Sequence, residues 1–263
     1  MEYQYFLDPL PLWSIFALSA ALIALALELG YRLGALRRKR SALEKDTPVS
    51  AVVGATLGLS GFMLAMTFGI AVSRFDFRRE VLLDEVDAIS TTYLYADFLP
   101  PDLRDSVKAN LREYVDVRLA GVNLGKIESA LAVSQKLHQS LWSLAVAAER
   151  ASDNAVSVAL FIQSLDAVLN VHTRRVEAGL GSRIPAVVWV VLYGVAALGM
   201  GEIGYQMALA GSARSIAGIG LVLSFAAVLW LVADLDRPHG GLLRVSQRAM
   251  QELRSSMSLA PPP

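Results

Sequence analysis

The sequence predicts an all-α integral membrane protein, with four transmembrane helices in two pairs flanking a helical water-exposed domain. Three observations predict it. Of the 263 residues 54% are hydrophobic and only 18% charged, against about a quarter charged in an ordinary soluble domain. Four stretches stay apolar for the roughly 20 residues that a helix needs to cross a bilayer. The polar region between the second and third stretches repeats its apolar residues at helical spacing, as in Val81, Leu82, Val86 and Ile89, and no strand pattern competes. The chain divides accordingly into a first transmembrane pair (1–73), a helical domain (74–183), a second transmembrane pair (184–236) and a C-terminal tail (237–263).

The first span runs from about Leu10 to Leu29. Only Glu2 and Asp8 precede it as charges, and no small-residue cleavage pattern follows, so it reads as a span and not as a signal peptide. The second span, Val49 to Ser73, runs into Arg74-Phe75-Asp76-Phe77-Arg78-Arg79-Glu80 with no proline or glycine between. That continuity predicts one rod, membrane helix and soluble helix 74–98 together, through which movement of one part moves the other. Leu99-Pro100-Pro101-Asp102 breaks the helix, and Asp102 is expected to cap the next one, 102–121. Further helices are expected over 124–150 and over 152–180, the last opening at Ser152-Asp153-Asn154. Segment 155–170 is apolar, but Gln163, Asp166 and Asn170 interrupt it, which makes it a core helix and not a fifth span. The third span covers 184–207 and the fourth 216–232. From Gln251 to the final Ala-Pro-Pro-Pro the chain reads as a frayed tail.

The second span carries Gly54, Gly58, Gly61, Ala65 and Gly69 at helical spacing, with Phe62, Met66 and Ser73 flanking the same face. Small residues let helix backbones approach in lipid. The same stripe, repeated around an axis, would line a path whose throat is ringed by Phe62 and Met66, and apolar constrictions gate ions by dewetting. Both readings stand. Arg74, Arg78 and Arg79 close the span. They either snorkel to the interface or, around a path, form a cationic ring of Arg74 and Arg78 that concentrates anions. Glu28 and Glu202 lie near the ends of spans one and three, where an ionisable group is costly and often functional.

Several function classes find no support. The net charge is zero, so nothing points to nucleic acid. With no cysteine there is no disulfide, thiol nucleophile or thiolate metal site. His138, His172 and His239 are scattered, and no phosphate-cradling loop or nucleophile elbow occurs. No catalytic residue, metal site or cofactor is therefore expected, and the protein does not read as an enzyme. Asn170 with Arg174-Arg175 reads as the end of a core helix followed by a solvated face. Asp234-Leu235-Asp236-Arg237-Pro238 reads as a helix exit at the junction of membrane and soluble domain, with Arg237 pairing an aspartate and Pro238 stopping the helix. Two aspartates are too few for calcium, which takes six to eight oxygens.

Leu64-Ala65 with Ala71-x-x-Arg74-Phe75-x-x-Arg78-Arg79 resembles the signature at the end of the second membrane helix of bestrophin channels. The fuller pattern adds Asp84-Glu85, Ala88-Ile89, Tyr93, Ala96, Leu99-Pro100 and Asp234 to Gly240. It resembles a bestrophin-like family of bacterial membrane proteins, and the likeness covers most of the chain in layout. The resemblance implies a multi-pass protein of the bacterial inner membrane, a homopentamer around one ion path. Gly58, Phe62, Met66, Gly69 and Ser73 of each copy would line it, in contact with inorganic ions, anions first. Phe62 and Met66 fall on bulky neck positions. Gly58 stands where bestrophins carry an apolar side chain, which implies a wider throat at that level. Thr67-Phe68-Gly69 replaces a polar Arg-x-Asn, which leaves ion selectivity unassigned. The rival class is a non-conducting membrane scaffold or signalling protein that binds a partner through its soluble helices.

Orientation divides the two lines of reasoning. Arg37-Arg38-Lys39-Arg40 with Lys45 forms a short basic loop, and such loops stay in the cytoplasm. That puts the N-terminus and the helical domain outside, opposite to bestrophins.

Overall fold

The computed structural model describes residues 9–40, 46–123, 127–151, 154–212, 216–238 and 240–259. They form helices α1 (Leu12–Arg40), α2 (Asp46–Tyr95), α3 (Pro101–Asn123), α4 (Ile127–Ala151), α5 (Ala155–Val176), α6 (Ala186–Leu209), α7 (Ile216–Asp236) and α8 (Arg248–Leu259). A 3₁₀ turn, Ala96–Phe98, follows α2, and a π-helical turn, Glu177–Gly181, follows α5. Among the described residues there is no strand. Among the same residues, four helices are long and apolar enough to cross a membrane. α1 continues past the expected end at Leu29, so Arg37, Arg38 and Lys39 occupy its last turns, where cations meet the negative end of the helix dipole. Lys45 lies outside the described residues.

α2 is a single helix of 50 residues that passes through Ile70–Arg78 without a break. Its charged second half is not an obstacle, because Arg, Glu, Leu and Ala all favour helix. α3 starts one residue earlier than expected. Pro101 takes its first position, where a missing N–H costs nothing, and the Pro100 carbonyl accepts from Leu103 and Arg104. Asp102 is therefore a first-turn anion and not the cap. α5 is capped by Asn154, whose side chain accepts from the Ser157 amide at 3.2 Å. Ser152 and Asp153 lie outside the described residues.

The chain divides into two compact units. The membrane unit holds α1, α2 as far as Phe75, α6 and α7 with the chain to Leu243. Its core includes Ile15, Ile23, Leu64, Trp189, Leu192, Met200, Leu229 and Val232. α1 and α6 meet backbone to backbone. A Cβ on Gly30 would lie 1.8 Å from the Gly201 carbonyl oxygen, and one on Gly204 would lie 2.0 Å from that of Leu27. Within one chain, close small-residue packing involves Gly30, Gly34, Gly201 and Gly204, while Gly54, Gly58, Gly61 and Gly69 of α2 have open space beside them. Several hydroxyl side chains within the spans find partners there. Thr67 donates to the Met63 carbonyl, Ser60 to that of Thr56, and Ser19 shares a 2.6 Å hydrogen bond with Tyr193.

The helical unit comprises residues 76–182 and the chain from Arg244 onward. Its core gathers Ile89, Leu111, Leu141, Phe161, Leu165 and Val168 from four helices. The expected frayed tail is instead α8, which buries Met250, Leu253 and Met257 in that core. These three positions share one helix face, and full burial of such side chains contributes about 1.5–3 kcal/mol each. The Met257 carbonyl accepts from Tyr93 and Arg112. Residues 260–263 lie outside the described residues.

Candidate functional site

At 3.6 residues per turn, Gly58, Phe62, Met66, Gly69 and Ser73 fall within an arc of about 80° along roughly 22 Å of α2. All five are exposed, Phe62 by 65% and Met66 by 56%. A Cβ on Gly54, Gly58, Gly61 or Gly69 would meet nothing within 4 Å. The other side of this part of α2 packs into the membrane unit through Val53, Ser60, Leu64, Thr67 and Ala71. The sequence-predicted stripe therefore exists as a continuous uncovered face of one helix.

The proposed cationic ring does not join it. Arg74 and Arg78 sit about 120° and 160° around α2 from the middle of the stripe. Arg74 is half-buried in the membrane unit with Nη1 3.9 Å from Asp236 Oδ1. Arg78 is 8% exposed. The charged residues in phase with the stripe are acidic. Asp76, Glu80 and Asp87 are all exposed, with Leu83, Thr91 and Leu94 between and beyond them. The sequence pattern held this signal. Counting by helical phase from Phe62 reaches Asp76 and Glu80, whereas reading along the chain reaches Arg74 first.

Asp234, Asp236 and Arg237 are buried, and they tie the membrane unit to itself. Asp234 accepts from the Leu242 and Leu243 amides at 2.8 and 3.0 Å. Gly240 adopts φ +82°, and a Cβ on Gly241 would lie 2.5 Å from Asp234 Oδ1, so the returning chain needs both glycines. Asp236 accepts from the Ile184 amide at 2.9 Å, and Arg183 donates to its carbonyl at 2.8 Å. The Arg237 guanidinium donates to the Leu10 carbonyl. These carboxylates bind backbone amides and arginines, a structural corner. Among the described residues no His, Asp or Glu cluster fits a metal ion. His239 lies outside them. Glu28 pairs with Arg32 at 2.8 Å. The Oε2 of Glu202 is buried with no hydrogen-bond partner among the described residues.

Two histidines that are far apart in sequence meet in the helical unit. Glu85 of α2 is 0% exposed. Tyr114 of α3 donates to it at 2.6 Å, Arg118 Nε lies 3.1 Å away, and Arg175 of α5 donates to its other oxygen. Arg175 also donates to Gln247, just before α8, at 3.0 Å. His172 Nδ1 is 2.9 Å from the Tyr114 hydroxyl, and the His138 ring of α4 stands edge-on to His172 at 4.5 Å. Arg175 thus belongs to the core, while Arg174 keeps the expected solvated position beside Asp84 at 3.2 Å. Burial alone would raise the Glu85 carboxyl, but Arg175 and Arg118 hold it below its ordinary value. Burial and then the Glu85 charge push the Tyr114 phenol well up. Burial and then Arg118 lower both histidines, His172 to about 4.

A family model described as Bestrophin-like domain matches residues 15–250. Among solved structures, a point mutant of a bacterial bestrophin homologue from Klebsiella pneumoniae superposes with a TM-score of 0.65 at 14% identity, covering 94% of this chain and 97% of that one. A point mutant described only as a membrane protein superposes with a TM-score of 0.64 at 15% identity, over 92% of this chain and 96% of that one. At such identity these likenesses speak for the fold. No curated protein matches the sequence.

Proposed function

The chain belongs to the bestrophin-like family, and from that premise we propose that copies of it, five by resemblance to bestrophins, assemble in the bacterial inner membrane around an ion path lined by α2. One observation carries the reading. Gly58, Phe62, Met66, Gly69 and Ser73 form an uncovered stripe on a helix whose other face is packed. Glycines leave room at the axis and Phe62 with Met66 narrow it, an arrangement that admits ions and can gate them by dewetting.

The sign of the ion follows the stripe. The anion preference expected from sequence rested on the resemblance and on a ring of Arg74 and Arg78, and these two arginines lie off the stripe. Asp76, Glu80 and Asp87 lie on it, and rings of such carboxylates would draw cations. The path is accordingly proposed to favour cations. By the charge rule, the basic end of α1 lies on the cytoplasmic side.

Recording from purified oligomers in planar bilayers across a salt gradient tests both statements. The expected result is a current that reverses towards the cation equilibrium potential and grows in Phe62→Ala. Reversal towards the anion potential would restore the anion assignment. Silence from intact oligomers of both proteins would sink the ion path and leave the scaffold reading.

A further inference from the structure

The Glu85–Tyr114–His172–His138 cluster lies in the helical unit, on the side of α2 away from the stripe. Tyr114 has one hydroxyl proton and gives it to Glu85. It can then only accept from His172, so neutral His172 carries its proton on Nδ1 and keeps the lone pair on Nε2. The Nε2 of His138 is buried with no hydrogen-bond partner among the described residues. Either ring can take up a proton, and each would then become a second kind of cation in a cluster already rich in them. From α2 the cluster receives Glu85, with Asp84 engaged outside it by Arg174. From α3 come Tyr114 and Arg118, from α4 His138, from α5 His172 and Arg175, and from the segment before α8 the neutral Gln247. One carboxylate faces two guanidiniums. An imidazolium added here is repelled by Arg118 and Arg175, and only the single charge of Glu85 compensates it.

We propose that this cluster is an acid-sensitive latch: with both histidines neutral it clamps the second half of α2 onto α3, α4 and α5, and proton uptake by the histidines loosens that clamp. Any consequence for ion flow rests on the reading that α2 lines the path. The latch itself does not, and it can be read without current.

The absence of cysteine from the sequence makes the test direct. Thr92 lies two turns beyond Glu85 on α2 and is fully buried, whereas its neighbour Thr91 is exposed. Each is replaced separately, Thr92→Cys and Thr91→Cys. The labelling rate of each by a pyridyl disulfide, which reacts with thiols down to acid pH, is measured on the intact oligomer. The ratio of the two rates cancels the pH dependence of the chemistry. The ratio is expected to be low at neutral pH and to rise at least about tenfold between pH 6.5, the unperturbed histidine value, and pH 4. Adding His172→Asn, whose amide still donates to Tyr114, together with His138→Phe should hold it low throughout. A flat ratio in the parent would overturn the latch, and so would a rise that survives the double substitution. Ala148→Cys, buried in the same core on α4, separates local release from acid unfolding. Its rate should stay low where that of Thr92→Cys rises, and equal exposure of both would also overturn the proposal. Should the double variant fail to assemble, Tyr114→Phe keeps both histidines and removes the hydroxyl link. It is expected to label Thr92→Cys fast already at neutral pH, and unchanged slow labelling counts against the latch.

Discussion

The glycines described in the membrane helices include two kinds that sequence alone does not separate, because close packing and an open lumen both call for a missing side chain. Gly30 has the Gly201 carbonyl where its Cβ would be, whereas Gly58 has open space. Gly30→Val should therefore drive α1 from α6 and cost on the order of 3 kcal/mol, the upper range for overpacking, read as a lower melting temperature of the detergent-solubilised protein. Gly58→Ala is expected to leave that temperature unchanged. A comparable fall there would show that Gly58 packs against a neighbouring copy and would return the stripe to the packing reading. Glu85 poses the opposite case, a buried charge with buried partners. Glu85→Gln leaves Arg118 and Arg175 without their anion and should cost about 3–5 kcal/mol, measured by the same melt. His172 sets a pH dependence of known sign. Its folded value of about 4 lies below the ordinary 6.5, so between these limits the unfolded chain binds the proton that the folded chain refuses. Stability is then full above pH 6.5 and declines as the pH falls towards 4. His172→Asn should flatten that decline, and an unchanged slope in the variant would show that other groups set it.

At the level of elements, the four spans and the unbroken α2 were legible because each depends on local composition: long apolar runs, and the lack of a proline or glycine between Ile70 and Arg78. α8 was not. Only Met250, Leu253 and Met257 mark its buried face, and three such residues in a helix otherwise rich in arginine and serine do not distinguish a docked helix from a frayed end until the core that receives them is known. The same holds for Arg175, which looks like half of a solvated pair until Glu85 is seen opposite. Phase, by contrast, is a property of the sequence itself. The period that gathered Phe62, Met66 and Ser73 also passes through Asp76 and Glu80. Docking of α8 gives a test of its own. Met250→Ala and Met257→Ala should each destabilise the helical unit by roughly 2–5 kcal/mol, the usual range for truncating a buried methionine. Proteolysis would report it as faster cleavage near Arg248 and Arg254. Cleavage as rapid in the parent protein would mean that the end is frayed after all.

For the whole molecule the decisive quantity is charge summed over copies. The chain itself is neutral, so no net field selects an ion. What acts on an ion in the proposed path is the local charge facing it. One chain contributes Asp76, Glu80 and Asp87 on the α2 stripe, and assembly about an axis multiplies these while Arg74 and Arg78 stay within or behind the wall. Carboxylates gathered round a narrow aqueous space reinforce one another, and low-dielectric walls focus their field. Such attraction is long-range and therefore screened. It acts over about 10 Å at 0.1 M salt but only about 3 Å at 1 M. Apolar constriction at Phe62 carries no such dependence. The two contributions to permeation can thus be separated by salt. Asp76→Asn with Glu80→Gln should lower the cation-to-anion permeability ratio several-fold in dilute salt, and the difference from the parent should shrink towards nothing at 1 M. Phe62→Ala should raise the current by the same factor in both. If the acidic pair instead changed current without changing the ratio, those residues would lie outside the ion's path. The stripe would then end at Ser73.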